Sequence, residues 1–159
     1  MVIDMGTEIE YVCEKCGFRI SDYDLNYFVD EETNCVVEHA SGMLTFDMGH
    51  GFKIRGKIIP SYCPDCSSEV HFYYNENESQ IKEIKSALEQ DERDFKEVLD
   101  KKYEYRTKSS ALKGVIGPKN KTYANCPKCA KNIPLISEGK CECPKCGGEL
   151  YGLMVALYD

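Results

Sequence analysis

No stretch of this chain is apolar for long enough to cross a bilayer. The longest apolar run, Leu150 to Tyr158, is nine residues with Gly152 inside it, against the roughly 18 that a spanning helix needs. The first residues, Met1-Val2-Ile3-Asp4, lack the basic and apolar regions of a secretory signal. The expected location is therefore cytoplasmic, with no membrane contact, in a compartment where thiols stay reduced. Histidine is scarce. None of His39, His50 and His71 has a nucleophile or a carboxylate pair placed to work with it, so the first two read as ordinary histidines and His71 as a packing group or a support for a nearby site. A non-enzyme is the expectation.

Basic charge is absent as a uniform feature. The net charge is -7, but residues 1 to 100 carry 9 basic and 22 acidic side chains, residues 101 to 131 carry 9 and 1, and residues 132 to 159 carry 2 and 4. A basic belt thus separates two acidic parts, which excludes a nucleic-acid-binding surface spread over the whole protein. With 42% hydrophobic and 30% charged residues and a mean hydropathy of -0.46, the 159 residues suit one ordinary soluble domain or two small ones.

Cysteine, by contrast, is abundant. Eight of the ten cysteines fall into four Cys-x-x-Cys pairs: Cys13 and Cys16, Cys63 and Cys66, Cys126 and Cys129, Cys143 and Cys146. In a reducing compartment that spacing points to metal rather than to disulfides. A thioredoxin-type motif needs one such pair at the start of a helix in a βαβ unit, whereas these four lie among turn residues. Each Cys-x-x-Cys turn presents two thiolates, so two turns complete a tetrahedral shell and leave no open position. Sequence proximity pairs Cys126, Cys129, Cys143 and Cys146, with thirteen residues between the knuckles, and leaves Cys13, Cys16, Cys63 and Cys66 as a site split by 46 residues. Loop-closure cost grows only logarithmically with length, so that insertion is tolerable, although knuckles from different halves of the chain, or from two protein chains, can also share a metal. Of the remaining cysteines, Cys35 reads as a small buried hydrophobe. Cys141 lies two residues before Cys143, outside the knuckle spacing.

Between the metal turns the pattern has period two. Thr7 to Val12 leads into the first knuckle, Asn26 to Val29 and Cys35 to Glu38 read as a hairpin, and Gly42 to Gly51 reads as a loop. Phe52 to Ile59 is a strand with a bulge expected at Gly56, and Glu69 to Tyr74 is another. From Asn77 the spacing changes: Ile81, Ile84, Leu88, Asp91, Phe95, Val98, Lys102 and Tyr105 fall at steps of three and four, which predicts a helix over 79–105. Asn77 with Gln80 resembles a capping box, and Glu78 with Lys82 and Glu89 with Arg93 are favourable i,i+4 pairs. The helix can continue through Leu112 to a stop at Gly114. Its seam can pack on the chain's own strands or on a partner helix, including a second copy. The last strand, Leu153 to Leu157, looks buried on both faces.

These motifs resemble the zinc-ribbon, rubredoxin-like superfamily. The resemblance rests on Cys13-x-x-Cys16-Gly17, Cys63-Pro64-x-Cys66, Cys126-Pro127-x-Cys129 and Cys143-Pro144-x-Cys146-Gly147, and it extends to prokaryotic proteins that join two zinc-ribbon modules through a helix. Ser67 and Ala130 depart from the glycine that usually follows the second cysteine. The resemblance implies an α+β fold of small β-rich zinc-ribbon modules joined by one long α-helix. The implied organisation is an N-terminal zinc module over 1–76, the helix over 77–114, a basic linker over 115–121 and a C-terminal ribbon over 122–159. It also implies two structural Zn2+, with iron as the alternative metal.

Three functions follow as expectations. The first is a protein-interaction or adaptor module with a protein partner. The second is a nucleic-acid- or ribosome-associated factor that uses Lys102, Arg106, Lys108, Lys113, Lys119 and Lys121 of the basic belt, interleaved with Tyr103, Tyr105 and Tyr123 for stacking. The third is a rubredoxin-like iron electron carrier.

Overall fold

The computed structural model describes residues 6–31, 34, 36–40, 52–93, 111–136 and 141–158. Its first and last strands lie side by side. Strand β1 (Gly6–Cys13) runs antiparallel to β11 (Glu149–Tyr158) from Gly6 opposite Tyr158 to Cys13 opposite Leu150, with a register shift between Glu8 and Ile9. The short strands β2 (Arg19–Asp22) and β10 (Cys141–Glu142) extend this pair into a four-stranded sheet of order β10-β11-β1-β2. We call this sheet with its two knuckles the outer lobe. Tyr11, Phe18, Ile20, Ile136 and Leu150 form its core together with Cys13, Cys141 and Cys143.

The inner lobe is built on a five-stranded sheet of order β4-β3-β5-β6-β7, comprising β3 (Leu25–Asp30), β4 (Val36–Ala40), β5 (Phe52–Cys63), β6 (Ser68–Tyr74) and β7 (Leu112–Ile116). The hairpin expected from Asn26 to Glu38 is present as β3 and β4, with Asn34 in the left-handed region (φ 58°) at the turn. Helix α1 (Ile81–Arg93) covers one face of this sheet, and the two-stranded ribbon of β8 (Tyr123–Asn125) and β9 (Asn132–Pro134) packs on the other. Strand alternation accounts for this layering. Tyr73 enters the helix-side core with Tyr27, Val29, Val36, Ile54, Ile58, Ile84 and Ala87, while its neighbours Val70 and Phe72 enter the ribbon-side core with Ile116, Ala124, Ile133 and Leu135.

Several expectations change. The helix is described from Ile81 to Arg93, Ser79 and Gln80 of the predicted 79–105 span belong to a 3-10 turn before it, and 94–105 lie outside the described residues. It does not continue to Gly114: Leu112–Ile116 is a strand, parallel to β6. A parallel pair needs a crossover connection, and α1 lies in that connection, within one sheet rather than between two modules. The proposed 77–114 helix and 115–121 linker therefore give way at 112–116 to β7. Ile84 and Ala87 are fully buried on the sheet, so the first half of the seam packs on the chain's own strands. Asn77 caps a short 3-10 turn (Glu78–Gln80) through Ser79, whose amide donates to Asn77 Oδ1 at 3.1 Å.

Gly56 carries no bulge. The pairing runs through Tyr27 opposite Gly56, and the irregularity between β3 and β5 falls at Val29/Asp30 instead. The glycine serves close approach: a Cβ there would stand 2.3 Å from the Tyr74 carbonyl oxygen and 2.8 Å from the Tyr27 hydroxyl, which itself donates to Tyr74 O at 2.9 Å. On the last strand Leu153 is 63% exposed, so burial on both faces does not hold there, and the side chains of 154–157 lie outside the described residues. No described helix is long and apolar enough to cross a membrane.

Two candidate metal centres

All four Cys-x-x-Cys segments fold into the same turn. In three of them the amide of the fifth residue donates to the carbonyl of the first cysteine: Gly17 to Cys13 (2.9 Å), Ala130 to Cys126 (2.9 Å) and Gly147 to Cys143 (2.9 Å). The first cysteine's own amide donates to the sixth residue: Cys13 to Phe18 at 2.9 Å, Cys126 to Lys131 at 2.8 Å, Cys143 to Gly148 at 2.7 Å. Cys63 makes the equivalent pairing with Ser68 at the end of the β5–β6 hairpin. The residue after each second cysteine adopts positive φ: Gly17 at 80°, Ser67 at 50°, Ala130 at 65° and Gly147 at 77°. Ser67 and Ala130 thus take the conformation that glycine takes without penalty.

The knuckles come together in a nested order that corrects the pairing by proximity. Cys13 and Cys16 meet Cys143 and Cys146, while Cys63 and Cys66 meet Cys126 and Cys129. Sulfur–sulfur distances across the outer cluster are 3.5 Å (Cys13 to Cys146) and 3.6 Å (Cys16 to Cys143), and across the inner cluster 3.5 Å (Cys63 to Cys129) and 3.9 Å (Cys66 to Cys126). Within each group every sulfur lies within 4.8 Å of the others. Neither 1–76 nor 122–159 is a self-contained module, because each contributes one knuckle to each site. The physical reason lies in the sheets: β1 pairs with β11, carrying the first knuckle to the last, while the β8–β9 ribbon packs on β6 beside the second.

The donor set fits a tetrahedral metal. Bonds of about 2.3 Å to four thiolates give sulfur–sulfur edges of about 3.8 Å, close to the observed spacing. Electrostatics point the same way. Backbone amides of Cys16 and Lys15 hold the Cys13 thiol down to about 7, against the effect of burial. In the inner cluster, burial raises the Cys126 thiol, but the amides of Cys129 and Lys128 and the neighbouring thiols outweigh it and bring it to about 7. Their companions move the other way: burial and then the adjacent thiols push Cys66 up to about 12, and burial, with help from the thiols of Cys16 and Cys146, does the same for Cys143. The thiolate forms of Cys66 and Cys143 are opposed first by burial and then by the neighbouring thiols. A divalent cation held by the four sulfurs would favour their thiolate forms.

The other candidate residues scatter. Cys141 is buried in the outer core beside the cluster but is not one of its four sulfurs. Cys35, His50, Lys102, Arg106 and Lys108 lie outside the described residues, as does the side chain of His39. His71 sits in β6 opposite Lys113, and burial with the nearby Lys113 charge lowers its pKa. In the basic belt, Lys119 lies 3.9 Å from Glu78 and Lys131 lies 3.4 Å from Asp65, so part of the described belt is neutralised by acidic neighbours.

Sequence reasoning passed over Tyr62. Its ring meets that of Phe18 in a tilted contact, 5.1 Å between centroids, and the Lys145 ammonium lies 5.9 Å from its ring centre. Its position one residue before Cys63 was visible, but its distant contacts were not. The sorting of the knuckles did carry a signal: both Cys-x-x-Cys-Gly turns form the outer site, and the turns ending in Ser67 and Ala130 form the inner one. No protein-family model, curated protein or solved structure matches the chain, so the two four-cysteine clusters are the features on which a functional reading rests.

Proposed function

We propose that this chain is a non-enzymatic zinc protein in which two structural Zn2+ ions hold together a protein-interaction or adaptor module of the cytoplasm. The observation that carries this reading is the reach of the clusters: the outer one joins cysteines 127 positions apart and the inner one cysteines 60 apart. A metal so placed closes the fold rather than decorating it, and its binding energy becomes folding energy. Four thiolates fill the shell of each ion and leave no position for a reacting water. The partly neutralised belt makes a protein partner the better reading than nucleic acid.

Elemental analysis combined with native mass tests the metal half of this reading. Two zincs per chain and a colourless protein are expected, whereas iron with visible absorption replaces it with the electron-carrier reading. Affinity capture with and without nuclease tests the partner half. Recovered proteins that persist after nuclease treatment support an adaptor, and their loss transfers the role to the basic belt.

A further inference from the structure

The end of β5 touches both metal centres. Cys63 points into the inner cluster, and Tyr62, on the opposite face of the same strand, packs into the core of the outer lobe. There Tyr62 meets both outer knuckles at once: Phe18 two residues after Cys16, and Lys145 between Cys143 and Cys146. A second crossing lies beside the first. Leu135 is buried in the inner ribbon-side core and the next residue, Ile136, in the outer core. The two crossings are tied together, because the Ile136 amide donates to Pro60 O at 3.0 Å and the Ser61 hydroxyl donates to Pro134 O at 2.6 Å. Each crossing segment thus has adjacent residues committed to different lobes, and the segments brace each other.

On the reading that both clusters hold metal, we propose that they bind it as a coupled pair, with Tyr62 as the positioning residue that transmits occupancy from one to the other. Metal at the inner site fixes Cys63 and with it the direction of β5, which holds Tyr62 against the two outer knuckles. Metal at the outer site fixes those knuckles and so clamps Tyr62 and the strand that ends in Cys63. The coupling is reciprocal by thermodynamic necessity: whatever factor one metal adds to the affinity of the other is returned in full.

The test uses the full chain, reduced and metal-free, titrated with Zn2+ against a competing chelator, with native mass spectrometry counting chains that hold zero, one and two ions. Two independent sites leave about half of the molecules, or more if the sites are unequal, with one ion at half-saturation, whereas coupling of about tenfold depletes that form. A depleted one-ion form is expected in the wild type. Tyr62→Ala, which keeps all eight ligands, should restore it, and Tyr62→Phe, which keeps the ring, should not. Cys66→Ser should weaken the outer site by the same factor as Cys16→Ser weakens the inner one, and this pair decides the matter if Tyr62→Ala does not fold. Outer-site affinity unchanged in Cys66→Ser and inner-site affinity unchanged in Cys16→Ser, or a Tyr62→Ala profile unchanged from wild type, overturns the coupling. A reduced chain that binds no zinc at either site overturns the metal reading itself, a separate result.

Discussion

The outer and inner metal centres use one turn four times over, yet they stand in different surroundings. Three of the eight buried residues in the outer core are cysteines, two of them in the cluster, and the ribbon-side core at the inner cluster likewise holds Cys63 and Cys126, but the inner lobe has a further core beneath α1 that contains no cysteine. The outer lobe is a small sheet whose interior is partly the metal site itself. The inner lobe has a helix-covered sheet that can bury its apolar side chains without help. Small units that lack a sufficient core depend on metal for their stability, and by that rule the outer lobe depends on it more.

Metal removal probes this difference most strongly. Structural zinc contributes on the order of 10 kcal/mol of apparent folding energy, so chelation of the reduced protein should abolish hydrogen-exchange protection in β1, β2, β10 and β11. Amides of Val29, Tyr73 and Ile84 should retain measurable protection. Equal loss in both lobes would mean that the helix-side core cannot stand alone.

Core truncations come next, at about 2–5 kcal/mol each for a fully buried isoleucine. Ile136→Ala opens the outer core next to Cys143, and Ile84→Ala opens the helix-side core away from either cluster. Both should lower the unfolding temperature, but only Ile136→Ala should also weaken zinc binding at the outer site in chelator competition. If Ile84→Ala weakens zinc to the same degree, the helix side is not independent of the metals. Gly56→Ala should cost about 1–3 kcal/mol through overpacking, because the Tyr74 backbone oxygen cannot yield to the added methyl. Denaturant unfolding measures the loss, and zinc stoichiometry should stay at two.

Much of this was legible in the chain, and what was not has a physical cause. The four knuckles, the β3–β4 hairpin, strands β5 and β6 and the start of the helix all follow from local spacing and alternation. The partnership of the knuckles does not, since it depends on β1 finding β11 across nearly the whole sequence. Proximity along the chain was the wrong guide because loop-closure cost rises so slowly with length that a sheet contact outweighs it. Leu112 to Ile116 was misread for a related reason: its parallel neighbour β6 lies far away in sequence, while Gly114, a plausible helix stop, here lies against the Phe72 ring.

The smallest effect isolates the turn itself. Gly17 and Gly147 finish the outer knuckles, while Ser67 and Ala130 finish the inner ones at positive φ, a conformation that costs an L-residue about 1–2 kcal/mol. A Cβ at Gly17 would meet nothing within 4 Å, and at Gly147 only an ordinary contact with Glu142 at 3.6 Å, so substitution there tests backbone strain without a clash. Gly17→Ala and Gly147→Ala should each destabilise the protein by about 1 kcal/mol. Ala130→Gly and Ser67→Gly relieve the same strain but add about 0.5–1 kcal/mol of unfolded-chain freedom, so each should stabilise by a few tenths to about 1 kcal/mol. Denaturant midpoints of the four variants read the balance. Should the inner glycine variants prove less stable than wild type, then Ser67 and Ala130 contribute through side-chain contacts, and the inner site tolerates its strained turns for a reason other than the surplus of core around it.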